Sequence, residues 1–335
     1  MLLLRQPFNA FFDIECMPSP PRILLNKSVI LVTARVEEGL PFVPTVFLNL
    51  IFWSVIARAQ SLYSTTICHL IIMGNHVHFI MVVDNPESIV RFMERFKTET
   101  AHAINRLLGR RKRTVWCDDY DAVPMLTIED AVTKIAYLYT NPQNAGLVKS
   151  IEEYPGVNSW KMFESNELNV ECSWIRRTFI SKLKTFSVSL SHQKDIANEL
   201  VSKATKKHSF TLSPNAWMGC FGIKKSETEI YNARIRASVR EQEASLLKTK
   251  KSFIGQAALT LQPLNKSYSS KKFSPRMYCI CHDIPLRIGF IYWIKGLLSK
   301  ARGVYQRWKQ GDFSIPYPPE LFPPRFPRIA NAIVY

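Results

Sequence analysis

Residues 65–84 read as two apolar strands with almost nothing between them: TTICHLIIM, then Gly74-Asn75, then HVHFIMVVD. A connection this short forces the two strands to pair antiparallel, and Gly-Asn suits a turn with positive φ. The neighbouring segments have to build outward from that hairpin. SVILVTARV (28–36) is β-branched and apolar, a strand by composition. VPTVFLNLIFWSVIARAQSL (43–62) follows as a helix, with Pro44 acceptable in its first turn. After the hairpin, NPESIVRFMERFKTETAHAINRLLG (85–109) places Ile89, Phe92, Met93, Phe96, Ala103, Ile104, Leu107 and Leu108 along one helical stripe, with Gly109 as C-cap. TIEDAVTKIAYLYTN (127–141) is a further helix, opened by a Thr127/Asp130 capping box. It should end at Asn141, because Pro142 disfavours α geometry in the residue before it. This order predicts an α+β fold: one antiparallel sheet with helices on one face.

The charge is uneven. The 335-residue chain carries +17, yet residues 1–165 hold 16 basic and 16 acidic residues, and residues 166–335 hold 28 and 11. A half so biased points to a polyanionic partner, nucleic acid above all; a solubilising surface is the plainer alternative. Its patterns are weak and mainly helical, with SETEIYNARIRASVREQEASLLKTKK a charged helix, LNKSYSSKKFSPR a loop and a Pro-rich tail from Asp312 packed as a strap or left free. The division expected is an irregular segment 1–21, a folded domain 22–165, and a basic region 166–335. Seven scattered cysteines without a CxxC pair fit reduced thiols. The opening MLLLRQPFNAFF lacks a basic lead-in to its apolar start, and the apolar runs 43–57 and 288–298 carry Asn49 and Lys295 and fall short of the ~20 residues a span needs. The expectation is a soluble, cytoplasmic protein with no membrane contact.

Within the second hairpin strand, His76 and His78 are two residues apart, so both project from the same face. Paired imidazoles bind divalent metals well, but a His-x-His in an apolar strand is equally a core pair with satisfied hydrogen bonds. Tyr137 and Asn141 are spaced i, i+4, one turn apart on one helix face. Asn141 can offer a carbonyl oxygen as third ligand to Mg²⁺ or Mn²⁺, which would leave the Tyr137 phenol beside the ion as a nucleophile. Taken alone, Tyr137 is as readily a half-buried helix aromatic.

MGNHVHFIMVV, a long helix, a Trp-containing segment, YLYTNPQNAGLV and YPGVNSW occur in that order over residues 22–165. This arrangement resembles the single-tyrosine HUH transposases, in particular the branch called REP-associated tyrosine transposases. The resemblance implies a ferredoxin-like sheet, His76, His78 and Asn141 as metal ligands, and Tyr137 as catalytic nucleophile. It also implies cleavage and rejoining of single-stranded DNA beside a hairpin through a 5′-phosphotyrosine, with no ATP. Family members act as monomers or as homodimers. Gly74 stands where the family has proline, Gln143 and Asn144 replace an apolar and often a basic residue, and YPGVNSW is a loosened ending. Tyr139 is the fallback nucleophile, facing away from Tyr137 on a helix. The basic run Arg110, Arg111, Lys112 and Arg113 is the candidate DNA-backbone contact, with a solvated turn as the alternative; Trp116 is either a base-stacking platform or core. Arg95 and Lys97 are better read as a solvated face. The competing functions are a domesticated hairpin-binding protein without strand transfer, and a rolling-circle or conjugation initiator, which the NPQNAGLV ending does not suit.

Overall fold

The computed structural model describes residues 22–37, 42–111, 113–250, 252–266 and 277–327. The irregular segment 1–21, Lys112 and part of the 264–276 loop and of the tail lie outside these residues. Strands β1 (Val29–Val36), β2 (Thr66–Ile72), β3 (His76–Val82) and β4 (Trp116–Pro124) form one sheet in the order β2-β3-β1-β4, every neighbouring pair antiparallel. Helix α1 (Val46–Tyr63) joins β1 to β2, and α2 (Pro86–Leu107) joins β3 to β4. This βαββαβ circuit is the ferredoxin-like arrangement. Side chains set the helix starts: Thr45 accepts from Leu48 N at 3.2 Å, and Asn85 accepts from Glu87 N at 2.9 Å with Pro86 opening α2.

Helices cover both faces of the sheet, not one. Ile30, Val32, Val77, Phe79 and Met81 pack against Phe47, Ile51 and Phe52 of α1 and Phe92 and Phe96 of α2. Val29, Cys68, Ile71, Ile80 and Val82 pack instead against Val132, Ile135 and Ala136 of helix α3 (Ile128–Asn144). The central strands are apolar at successive positions, the pattern of strands buried on two sides. Strand β4 escaped the sequence pattern because three aspartates, Asp118, Asp119 and Asp121, interrupt it; charge of this kind is normal on an edge strand. Gly74 and Asn75 do not take positive φ. Their carbonyls turn instead to the amides of Phe42 (2.6 Å) and Val36 (2.9 Å), which hold the turn from outside the hairpin.

Helix α3 also runs past its expected end. Thr127 and Asp130 form the capping box at its start, but Pro142 lies inside its last turn. Proline removes only one amide there, and the helix closes after it in a Schellman motif. Leu147 N donates to Pro142 O (2.9 Å), Gly146 N donates to Gln143 O (2.8 Å), and Gly146 takes the left-handed φ of +73°.

The chain continues through α4 (Trp160–Ser165), β5 (Asn169–Ser173), α5 (Leu190–Ser202), β6 (Lys207–Thr211), α6 (Ala216–Gly219), α7 (Thr228–Thr249), α8 (Gln256–Thr260) and α9 (Ile284–Lys309). Strands β5 and β6 pair with each other and lie over α1, where the Gln60 amide clasps the backbone of Thr211 with two bonds of 2.8 Å. Helix α7 lies along α3: Thr140 donates to Gln242 at 2.9 Å, Gln143 to the Glu243 carbonyl at 2.9 Å, and Arg234 grips Glu129. Residue Ile280 extends the β4 end through bonds to Pro124 and Leu126, and the amide and ring of His282 reach the buried Asp130 carboxylate at 2.9 and 2.6 Å. Helix α9 packs Ile294, Leu297 and Ala301 against Ile23 and Leu321, so the described part of the Pro-rich tail is a strap. Packing contacts thus cross the 165/166 division in several places.

A buried polar network joins β2 to α3. The His69 Nδ1 lies 2.7 Å from the Tyr139 hydroxyl, which lies 2.9 Å from Ser159 Oγ, and all three side chains are fully buried. Burial holds the His69 pKa down at about 3, against ~6.5 in an unfolded chain. Below that higher value the unfolded state takes up a proton that the folded state refuses. Stability is therefore present above ~6.5 and is lost as pH falls toward 3. The urea stability of the wild type should fall more between about pH 7 and about pH 5 than that of His69→Gln, by on the order of 1 kcal/mol. Equal falls would show that His69 is protonated without loss of the fold.

Candidate active site

The face of the sheet under α3 is apolar at one end and polar at the other. Strand alternation puts Thr33 and Arg35 of β1 and His76 and His78 of β3 on that face, with Thr33 opposite His78 and Arg35 opposite His76. The two imidazoles meet edge to face, centroids 4.6 Å apart. Each Nδ1 has its own partner: Asn75 Oδ1 at 2.6 Å from His76, and Thr33 Oγ1 at 2.9 Å from His78. We assign the ring proton to Nδ1 in both, which leaves both Nε2 lone pairs available. Burial, seconded by the Arg35 charge, holds the His76 pKa down at about 4. Burial also depresses that of His78 strongly, with help from His76, Lys134 and Arg35. Both rings are therefore neutral at pH 7, the form that binds a cation.

Helix α3 brings its own groups to this end. The Asn141 amide nitrogen lies 3.3 Å from His76 Nε2, and a half-turn of the amide presents the carbonyl oxygen at the same place. Lys134, Tyr137 and Asn141 are spaced i, i+3, i+7 along one helix face. Lys134 Nζ stands 4.5 Å from the centroid of the Tyr137 ring, its pKa lowered by burial, and its charge is felt at His78. The two flanking residues of this face are thus each tied to one of the imidazoles, and Tyr137 lies between them, half-buried. Tyr139 has the opposite fate: its ring is packed against Trp160 and Phe163, and burial pushes its pKa far up. It is a core residue and no alternative nucleophile.

The donor set suits a divalent cation. Two imidazoles with free Nε2 atoms, each oriented through Nδ1 by a neighbouring oxygen, are how histidine ligands are held. Among the described residues no three His, Cys, Asp or Glu side chains cluster, so the amide of Asn141 would be the third protein donor. Thr33, Asn75 and Lys134 were not singled out from the sequence. Lys134 was visible as the residue one turn before Tyr137, whereas Thr33 is brought to His78 only by strand register.

The nucleic-acid candidates divide. Trp116 is 4% exposed, its ring lies between Phe42 and Phe96, and its Nε1 donates to Thr100 Oγ1 at 2.9 Å. With its faces covered it cannot stack on a base, which corrects that reading. The loop before β4 sits at the histidine end of the sheet, since Val36 is opposite Trp116 and also donates to Asn75 O. Arg111 and Arg113 are exposed there, while Arg110 turns inward to the Thr114 carbonyl at 3.1 Å. Lys112 lies outside the described residues. Arg95 and Lys97 lie on α2, on the other side of the sheet, bonded to Glu99 and to the Cys117 carbonyl.

Comparison with the curated proteins gives no match. Among solved structures, a REP-associated tyrosine transposase bound to a REP hairpin is similar at 13% identity and a TM-score of 0.36, over 45% of this chain and 87% of that one. The family model described as "Transposase IS200 like" matches residues 48–140, a span from early α1 to one residue before Asn141 that includes His76, His78 and Tyr137. It is over this stretch, residues 48–140, that the chain is similar to the IS200-like transposases.

Proposed function

We propose that this protein cleaves and rejoins single-stranded DNA beside a hairpin, with Tyr137 as nucleophile and Mg²⁺ or Mn²⁺ held by His76, His78 and Asn141. The observation that carries the reading is the docking of α3. Asn141 meets His76, and the half-buried tyrosine one turn earlier is on the same face, whereas the neighbouring tyrosine is locked in the core. The family match and the positive charge of the second half support a DNA substrate.

In this reading the Tyr137 oxygen attacks a backbone phosphorus as the bond to the 3′ oxygen breaks. The phenol gives up its proton and the departing oxygen gains one, leaving a 5′-phosphotyrosine and a free 3′-OH. Attack by another 3′-OH on the phosphotyrosine reverses the bond changes, so no nucleotide hydrolysis is needed. Lys134 favours the negative charge that develops on the Tyr137 oxygen. His76, His78 and Asn141 would hold the ion, Thr33 and Asn75 fix the imidazoles, and the ion when bound would supply Lewis-acid polarisation of a phosphodiester oxygen. Arg111 and Arg113, exposed at the same end of the sheet, hold the DNA backbone in this reading.

The test is incubation with labelled single-stranded hairpin DNA and Mn²⁺, read as a covalent protein–DNA adduct on a denaturing gel. Tyr137→Phe should abolish the adduct; one that forms equally well in that variant would sink the assignment. Should the wild type bind the hairpin yet give no adduct with either metal, a binding protein without strand transfer would be the correct description.

His76→Ala and His78→Ala should each lower the adduct yield by at least about a hundredfold, in line with the loss of a metal ligand or its orienting partner. Hairpin affinity should change by less than about threefold, because phosphate contacts dominate it. Parallel losses of binding and cleavage would mean that the imidazoles serve the fold and not the reaction.

A further inference from the structure

On the far side of the α1/α2 layer from the histidine pair, a cleft of about 430 Å³ opens between the two helices and the segment after β5. Its lining includes Arg58 of α1, Arg95 and Glu99 of α2, and Trp174, Arg176 and Arg177. Glu99 bonds Arg58 and, at 3.4 Å, Arg95, which fixes two guanidinium groups and neutralises one charge. The Trp174 ring holds Arg58 a second time, at 4.6 Å from the centroid, and one further group, Arg176, at 4.7 Å. Arg176 and Arg177 are exposed, and neither has a carboxylate partner among the described residues. Four guanidiniums therefore face one acidic group in a concave site that the proposed reaction does not use.

We infer that this cleft is a second polynucleotide site, taking backbone phosphates of DNA outside the segment being cleaved. Arginine is suited to it, because its planar fork binds phosphate oxygens in pairs and stays charged when partly desolvated. The cleft is preorganised, since Trp174 and Glu99 hold Arg58 before any ligand arrives. Trp174, Arg176 and Arg177 lie beyond the stretch matched by the transposase family. The site is thus built by joining the basic half of the chain to the family segment. The inference rests on the strand-transfer reading only in taking DNA as the polyanion.

The test uses the full chain and a fluorescent single-stranded hairpin DNA with unpaired flanks, its affinity measured by anisotropy across a range of salt. The Arg176→Gln/Arg177→Gln double variant should bind roughly tenfold more weakly at low salt, with a salt slope shallower by about one to two. Arg176→Lys/Arg177→Lys should recover most of that slope, because charge dominates counterion release. The adduct yield at saturating DNA should match that of the wild type. An affinity within about twofold of wild type and an unchanged slope would overturn the site. So would a lowered adduct yield at saturation with binding unchanged, which would mark a structural effect. A third arm titrates inorganic phosphate alone: phosphate binding that the Arg176→Gln/Arg177→Gln variant loses, with DNA affinity and salt slope unchanged, would assign the cleft to a free anion and overturn the DNA assignment. Binding is read independently of cleavage, so an inactive wild type would remove the proposed reaction and leave this result standing.

Discussion

The arrangement depends on how one helix is laid across one face of the sheet. If α3 were rotated by about half a turn, Tyr139 would exchange places with the residues that face the imidazoles, and the polar network with His69 and Ser159 would be broken. That network, together with the apolar packing of Val132, Ile135 and Ala136 on the sheet, opposes the rotation. A buried hydroxyl without partners costs about 1–3 kcal/mol, which disfavours any other rotational setting of the helix. The same setting brings Asn141 to His76. Core chemistry on one side of α3 thereby positions the candidate site residues on the other.

The basic half contributes to this geometry as well as to the charge. Helix α7 meets α3 through Thr140, Gln143 and Glu129, and His282 reaches the buried Asp130 at its first turn. The tyrosine helix is thus gripped at both ends by residues far along the chain. Its last turn is closed by backbone bonds around Pro142 and Gly146, which gives NPQNAGL a mechanical reading. Asn141 is presented from a turn that has a defined stop.

Much of the first half was legible because its signals are local. The β1 stripe, the short hairpin, the period of α2 and the Thr127 cap are each decided by neighbours within a few residues. What could not be read depends on partners distant in sequence. Strand β4 is polar on one side because it is an edge, and Trp116 is core because Phe42 and Phe96 close over it. The extension of α3 beyond Asn141 reflects a C-terminal motif outweighing the local preference set by Pro142. For the site, His76, His78, Tyr137 and Asn141 could be named from spacing and resemblance, but Thr33 required a strand register that no spacing reveals. The second half withheld most of its structure because many of its elements are short or charged and find their places only against distant partners: β5 and β6 against α1, α7 against α3, and α9 against Ile23 and Leu321.

The family match begins inside α1 and so leaves out β1, the strand that occupies a central position in the sheet between β3 and β4. A fragment trimmed to that stretch would expose the long hydrogen-bonding edge of β3, rich in Val, Phe, Ile and Met, and would strand β4 without any neighbour. Edges of that kind recruit other chains. Such a piece would be expected to self-associate through intermolecular pairing, and the imidazole of residue 78 would lose the hydroxyl that aims it.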